Sequence, residues 1–221
     1  MHPVAPALPP RAPRRSTIED WLALPAAERA ELIDGRLVYQ GMPGPVHGRT
    51  QGRAFALCSG PYDRRPGSGD KPGGWWISME VDLEISGLGC RPDVLGWRRD
   101  RHPTLPAPDR RGLVTAAPDW ICEVLSASTA HVDMGEKRLG YHRAGVTHYW
   151  LADPGNGTLT VLQWTAAGYL VALVAGRHET VRVAPFEAVE IEVGALFGEE
   201  EAEERSRPGE EAGAPEREGA P

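Results

Sequence analysis

Two carboxylates stand at positions where apolar strands do not tolerate an unpaired charge. Asp93 lies between Pro92 and Val94, and Glu123 lies inside the apolar run WICEVL at residues 120–125. A buried carboxylate without a partner costs several kcal/mol or becomes protonated, so such a position usually holds a cation, an ion pair or a functional site. If the two strands are neighbours in one sheet, the acids converge at its end and offer oxygen ligands suited to Mg²⁺ or Mn²⁺.

A helix that follows the second strand adds a lysine to these acids. Asp133, Lys137 and Tyr141 recur at intervals of four and therefore share one helix face. Two acids and a lysine are what metal-assisted phosphodiester hydrolysis needs, because the metal lowers the pKa of a bound water while lysine stabilises developing charge. From spacing alone, structural ion pairs explain these residues better than a catalytic site does.

The elements around these residues predict a βαβ unit. Residues 118–125 indicate a short buried strand, residues 128–145 a helix closed by Gly145, and residues 146–154 a second strand. A crossover of this kind makes the two strands parallel. We therefore expect a single α/β domain with a mixed sheet.

Weaker patterns predict the rest of the fold. Ser16 begins a capping-box pattern and a short helix, and Asp34-Gly35 joins two strands in a tight hairpin. A second helix is expected over residues 47–58. Residues 75–85 indicate one strand that pairs with residues 91–97. Three C-terminal runs, TLTVLQW, GYLVALVAG and AVEIEV, indicate antiparallel strands along one edge.

The charge of the chain is unevenly distributed. The 221 residues carry 31 acids and 24 bases, a net charge of −7, but nine of the acids and only three of the bases lie in residues 199–221. The rest of the chain is nearly neutral, so composition does not exclude nucleic acid as a partner. We expect a disordered Pro/Arg-rich arm over residues 1–15, a folded domain over 16–198 and a disordered acidic tail over 199–221.

Cysteine spacing and hydropathy indicate the expected cellular location of the protein. The three cysteines show no CxxC spacing, which fits a reducing environment and gives no zinc signature. No signal peptide or membrane-spanning run is evident in the sequence. The expected location is cytoplasmic, with no membrane association.

In order and at matching intervals, roughly residues 17–197 resemble the Uma-two family of endonucleases within the PD-(D/E)XK superfamily. The resemblance implies a restriction-endonuclease-like core, a mixed central sheet flanked by helices, here with additional antiparallel C-terminal strands. The residues that carry it are Glu31 to Val38, His47, Arg91 to Val94, Pro118, Asp119, Glu123 to Ser126, Ser128, Thr129, Asp133, Lys137, Tyr141, Ala144 to Val146, Tyr149 to Leu151, Asp153 and Pro154.

The resemblance also implies roles for individual residues. Asp93 matches the aspartate of the PD motif and Glu123 the acid of the second motif, so both are expected to ligate the metal. Glu31 matches an additional acid near the N-terminus. Leu125 occupies the position where the motif usually has lysine. The resemblance implies that Lys137, on the helix, has taken over that function.

Further candidates surround this proposed site. His47 and Tyr141 are accessory candidates, although a helix-capping or packing role for His47 and a core role for Tyr141 are the simpler interpretations. A loop that follows Asp93 in sequence carries five arginines against two aspartates, which predicts a nucleic-acid-binding segment, with a solvated loop as the alternative. These arginines are Arg98, Arg99, Arg101, Arg110 and Arg111.

Together these features predict a metal-dependent endonuclease that hydrolyses phosphodiester bonds of nucleic acid, with Mg²⁺ or Mn²⁺ as cofactor and DNA as the expected substrate. The alternative is a catalytically inactive nuclease-fold module that binds nucleic acid or protein. A third reading leaves Asp93 and Glu123 as structural ion pairs. The resemblance makes a homodimer the expected assembly.

Overall fold

The structure is a computed structural model that describes residues 14–25 and 27–198. Apart from its last two residues, the predicted N-terminal arm lies outside the described residues, as does the acidic tail. The helices are α1 (Ile18–Leu22), α2 (Pro45–Tyr62), α3 (Ala130–Val132), a π-helical turn (Asp133–Lys137), α4 (Arg138–Ala144) and α5 (Val193–Leu196). The strands are β1 (Ala30–Ile33), β2 (Arg36–Tyr39), β3 (Trp75–Met79), β4 (Leu83–Ile85), β5 (Leu88–Cys90), β6 (Val94–Arg98), β7 (Trp120–Val124), β8 (His148–Asp153), β9 (Thr158–Thr165), β10 (Gly168–Gly176), β11 (Thr180–Val181) and β12 (Ile191–Glu192).

A six-stranded mixed sheet in the order β10-β9-β8-β7-β6-β3 forms the centre of the molecule. Strands β7 and β8 are parallel, with Glu123 opposite Leu151, and the other neighbours are antiparallel. The predicted βαβ crossover is therefore confirmed. Its helical segment contains α3, the π-helical turn and α4 without interruption, and ends at Gly145 with φ of +77°. Many helices end at a residue in the left-handed αL conformation, which glycine adopts without the steric penalty of a Cβ atom.

A second sheet, ordered β2-β1-β5-β4, packs against the helical side of the first. Its β1–β2 hairpin turns at Asp34 and Gly35, with φ of +50° and +74°. Positive φ at both central residues is the backbone of the tight turn that Asp-Gly favours. This hairpin is confirmed, and it places β1 next to β5 through the pair Leu32 and Gly89.

Three local predictions were wrong in detail. The strand predicted over residues 75–85 stops at Met79, because Glu80 adopts φ of +49° and turns the chain; β4 then pairs with β5 in the second sheet. The cap of α1 is Thr17, whose hydroxyl accepts from the backbone of Asp20, rather than Ser16. The run AVEIEV contributes the two residues of β12, which pairs with β11 in a separate two-stranded sheet, and its last residue begins α5.

The alternation of side chains along β7 divides the core into two layers. Trp120, Cys122 and Val124 face α2 and α5, where Trp120 packs edge-on against Phe186 at 4.8 Å. Ile121 faces the helical segment and the second sheet. Since strand side chains alternate between faces, Glu123 must enter this second layer among apolar groups. No helix in the described part of the chain is long and apolar enough to cross a membrane.

Candidate functional site

Strand register brings the two predicted metal ligands together. The antiparallel pair β6–β7 aligns Val94 with Cys122, which places Asp93 beside Glu123 at the end of both strands. Glu123 Oε2 accepts a hydrogen bond from the Asp93 backbone N–H at 3.2 Å, and Asp93 Oδ2 accepts one from the Val124 N–H at 2.7 Å. The two carboxylates are thus fixed to each other's strands by backbone donors.

Lys137 reaches the same place from the π-helical turn. Its Nζ lies 2.7 Å from Glu123 Oε1, 3.0 Å from Asp133 Oδ1 and 3.2 Å from Glu31 Oε2. All four side chains are almost fully buried, with at most 6% of any of them exposed. An ammonium has three N–H donors, so each can be directed at one of these carboxylates.

Glu31 enters this cluster from β1, where it is buried rather than an exposed hairpin residue. Its Oε1 accepts from the Arg91 backbone N–H at 2.8 Å, and its Oε2 accepts from Gln40 Nε2 at 2.6 Å. Gln40 follows β2, so the hairpin supplies both the acid and the amide that holds it.

The two accessory candidates also contact the acids. His47, near the start of α2, places Nε2 3.0 Å from Asp93 Oδ1. Tyr141, fully buried on α4, donates its hydroxyl to Glu123 Oε1 at 2.7 Å. The structure therefore brings together Glu31, Asp93, Glu123 and the three residues predicted on one helix face.

Burial and charge shift the pKa values in this cluster in defined directions. Burial raises the pKa of the Glu123 carboxyl well above its ordinary value and raises that of Glu31, although the Lys137 ammonium opposes both shifts. Burial by itself would lower the pKa of Lys137, but the surrounding carboxylates outweigh it and raise the pKa. The hydrogen bond to Asp93 raises the pKa of His47.

A polar cavity of about 110 Å³ opens onto these side chains. Asp93, Glu123 and Lys137 form part of its wall, together with His47 and Asp133. Other polar residues line its rim, namely Arg29, Gln40, Arg91, Ser126, Ser128 and Thr129. The cavity is the entrance through which water, a cation or a phosphate can reach the acids.

The donor chemistry of Asp93 and Glu123 fits a hard divalent cation. Within the described chain, no preformed group of three or more His, Cys, Asp or Glu side chains could hold a metal ion. Among the described residues, Glu123 Oε2 and Asp93 Oδ1 each have one hydrogen-bond partner, so each oxygen retains a lone pair on the cavity wall. Mg²⁺ is commonly bound by one or two carboxylates and keeps several waters, which is the donor set that this wall offers.

The arginine-rich loop lies elsewhere, which corrects its expected place beside the acids. Asp93 directly precedes β6 and Arg98 is its last residue, so the two are about 16 Å apart at the rise of a strand. Among the residues that the structure describes, none of the five predicted arginines lines the cavity. Arg110 is exposed, and the other four are engaged by acids. Their partners are Asp100 for Arg98, Asp63 for Arg99, Asp119 for Arg101, and Asp109 and Glu84 for Arg111.

Sequence reasoning did not single out Gln40, Arg29 and Arg91 as site residues. Arg29 and Gln40 are joined across the hairpin by the Gln40 N–H and the Arg29 carbonyl at 2.8 Å. The signal available in the sequence was their position just beyond the paired segments that flank Asp34-Gly35. Arg91 directly precedes the Pro-Asp pair, so its proximity to Asp93 was also readable.

Comparison with known proteins agrees with this architecture. Residues 18–194 match the model of the Uma2 family, described as "putative restriction endonuclease". No curated protein matches the chain. Among solved structures, a putative nuclease belonging to DUF820 from Anabaena variabilis is 19% identical, with a TM-score of 0.63 over 82% of this chain and 97% of that one. The predicted restriction-endonuclease-like α/β fold is thereby confirmed.

Proposed function

Because this chain belongs to the Uma2 family, we propose that it is a divalent-metal-dependent endonuclease that hydrolyses phosphodiester bonds of nucleic acid, with DNA as substrate. Family and fold together make it a restriction-endonuclease-like protein. The observation that carries the proposal is the placement of Asp93 and Glu123 side by side on one cavity wall, each with an oxygen available to a cation.

Asp93 and Glu123 would hold the metal, either Mg²⁺ or Mn²⁺. When bound, such an ion polarises a phosphate oxygen and lowers the pKa of a coordinated water. The protein's own contribution is orientation. His47 restrains Asp93 through Oδ1, and backbone N–H groups restrain Asp93 Oδ2 and Glu123 Oε2.

The main role of Lys137 is to hold the buried carboxylates in position through its ammonium group. Its ammonium lies within 3.2 Å of three carboxylates, so it opposes the rise that burial causes in the pKa of Glu123 and orients that side chain beside Asp93. To donate to a phosphate or an attacking water as well, Lys137 would have to give up one of these contacts. Glu31 assists by sharing the ammonium, and Tyr141 by donating to Glu123.

The test is a cleavage assay on supercoiled plasmid, labelled single-stranded DNA and labelled RNA, with Mg²⁺ or Mn²⁺ and with EDTA. We expect metal-dependent cleavage by the wild type. Asp93→Asn and Glu123→Gln should lose about 100-fold or more, because a metal ligand contributes several kcal/mol of charge stabilisation. Glu190→Gln, an exposed carboxylate at 63% side-chain exposure, is the matched control and should cleave normally.

Circular dichroism of each variant separates loss of chemistry from loss of fold. A folded wild type that cleaves none of these substrates with either metal refutes the proposal. Wild-type rates in Asp93→Asn and Glu123→Gln would show that cleavage occurs elsewhere in the preparation or the molecule.

A second candidate is a nuclease-fold module without catalytic activity. The observation that favours it is the complete engagement of the Lys137 ammonium by carboxylates, which gives the buried acids a cation without a metal. Calorimetric titration with Mn²⁺ distinguishes the two. Binding that Asp93→Ala abolishes supports the enzyme, and absence of binding to the folded wild type supports the module.

We further propose the domain bounds, cellular location and oligomeric state of the enzyme. The functional domain is taken as residues 16–198, acting as a cytoplasmic homodimer. The three cysteines are free and buried, which is consistent with a reducing compartment. Light scattering on the full chain tests the dimer by its mass.

A further inference from the structure

A second cavity adjoins the first and shares a wall with it. It measures about 150 Å³ and lies between the β1–β2 hairpin and α1. Arg29, Gln40 and Arg91 line both cavities, and Glu31 lines the second. The two cavities therefore adjoin at these three side chains, and together they are called the groove.

The shared wall carries two arginines with donors to spare. Arg29 has its nearest ion-pair contact with Glu80 at 3.9 Å, and its side chain is 29% exposed. Asp82 engages Nε and Nη2 of Arg91 at 2.7 and 3.0 Å. Because a guanidinium has five N–H donors, Arg91 can bind a further anion while it keeps Asp82.

Beyond the arginines the second cavity becomes apolar. Trp21, Leu22, Leu24 and Pro25 line its far side, and Leu22 is 41% exposed. The Trp21 indole is fixed by donation to the Ala30 carbonyl at 2.6 Å. This exposed apolar surface lies next to guanidinium groups that still have free N–H donors. Such a site can bind a molecule in which an anionic group is attached to a flat apolar group.

Three acids also line this cavity, and they limit what it can bind. Asp82 is paired with Arg91, Glu31 is paired with Lys137, and Glu28 is exposed. Solvent screens an exposed carboxylate strongly. Arg29 and Arg91, on the shared wall, are the cationic side chains that line the second cavity.

We propose that this second cavity receives the nucleotide next to the scissile phosphate, with Arg29 and Arg91 binding the phosphate that enters between the two cavities. The inference rests on the proposed nuclease function, because it takes the first cavity as the place of the scissile phosphate. It assigns nucleic-acid contact to this groove in place of the five arginines of the loop that follows β6, none of which lines either cavity.

The experiment measures binding separately from cleavage. Glu123→Gln serves as the cleavage-blocked background, and fluorescence anisotropy follows a fluorescein-labelled 12-nucleotide single-stranded DNA in Ca²⁺ across a salt series. Adding Arg29→Ala should weaken binding about fivefold or more and reduce the log–log salt slope by about 0.7, the value for one lost phosphate contact on a single strand. Arg29→Lys should keep the slope, because it keeps the charge.

Two further variants sharpen the result. Leu22→Ala should lower affinity without changing the salt slope, because an apolar contact releases no counterions. Arg182→Ala removes an exposed arginine near β11 and is the matched control, with affinity and slope expected to equal those of the background. Arg98→Ala tests the loop and should also leave both values unchanged.

Equal affinity and salt slope for Arg29→Ala and Arg182→Ala would overturn the inference, as would a loss confined to Arg98→Ala. Wild-type cleavage, measured in parallel, keeps this result distinct from the proposed function. If cleavage is present and Arg29 has no effect on binding, only the second cavity is misassigned. If cleavage is absent and binding depends on Arg29, the nuclease proposal fails while the groove remains a nucleic-acid site.

Discussion

Replacing Lys137 with methionine removes the ammonium that three buried carboxylates share. Glu31, Glu123 and Asp133 then lie close together with at most 6% of any side chain exposed and no ammonium between them. Methionine preserves most of the aliphatic volume, so the change is chiefly one of charge. Metal-free protein in EDTA isolates this effect from ligand binding.

Removing one partner of a buried ion pair typically costs about 3–5 kcal/mol, because the remaining charge is uncompensated. For a domain of this size about 1 kcal/mol lowers Tm by roughly 2–4 °C. The variant should therefore melt about 6–20 °C below the wild type at neutral pH. Arg36→Met is the control, since Arg36 pairs with Glu136 at the surface, with the two side chains 61% and 39% exposed. An exposed pair contributes about 1 kcal/mol or less.

The penalty should depend on pH in a defined direction. The pKa values of Glu31 and Glu123 are raised in the folded protein. The native state therefore binds more protons than the unfolded chain above the ordinary glutamate pKa of about 4.3, and stability falls as the pH rises through that window. Loss of Lys137 raises both pKa values further. The deficit of the variant should be largest near neutrality and shrink toward about pH 5, where protonation removes the repulsion.

Urea denaturation of both variants at about pH 7.5 and pH 5 provides the free energies of unfolding. Adding Glu123→Gln to Lys137→Met should restore part of the stability at the higher pH, since it removes one uncompensated charge. The reasoning is refuted if Lys137→Met lies within about 1 kcal/mol of the wild type at neutral pH, the range of an exposed pair, or if its deficit grows as the pH falls.

Two further changes test the packing around the site. Tyr141→Phe removes the hydroxyl that donates to Glu123 and should cost about 1.5–3 kcal/mol in urea denaturation, as for a hydrogen bond to a charged group; a change below about 0.5 kcal/mol would argue against that bond. Gly140→Ala places a Cβ 2.2 Å from Leu88 Cδ1 and should destabilise by about 1–3 kcal/mol. Gly135→Ala lies on the same helical segment, where the added Cβ would meet no heavy atom within 4 Å outside the adjacent helix backbone; it is the control and should be neutral or stabilising. Equal Tm values for the two variants would contradict the overpacking.

Patterns within short segments predicted much of the fold. Asp34-Gly35 indicates a hairpin because both residues tolerate positive φ, and the structure has it there. The apolar run of β7, the helix and the next apolar run predicted a parallel crossover, which is confirmed. The single strand predicted over residues 75–85 was wrong, because Glu80 adopts a positive φ that ends the strand. An alternating run of apolar residues does not show that one of its residues will adopt this conformation.

For the candidate site, too, some features were predictable from sequence and others were not. Glu123 was identifiable because a carboxylate in an apolar strand needs a partner, and the spacing of Asp133, Lys137 and Tyr141 showed that they share a face. The hydrogen-bond and ion-pair partners of each acid could not be predicted from the sequence. Resemblance alone directed attention to Glu31, whose burial depends on β1 docking beside β5.

Local sequence patterns predicted the candidate residues and the short elements that hold them, because hydrophobic periodicity, capping and turn preferences act over a few residues. Which residues are neighbours in space depends on how those elements pack. Proximity in sequence predicted that the arginine-rich loop lies near Asp93, but an extended strand separates its ends by about 3.3 Å per residue and places Arg98 at the opposite end of β6. Packing of the hairpin instead brought Arg29 and Arg91 to the cavity.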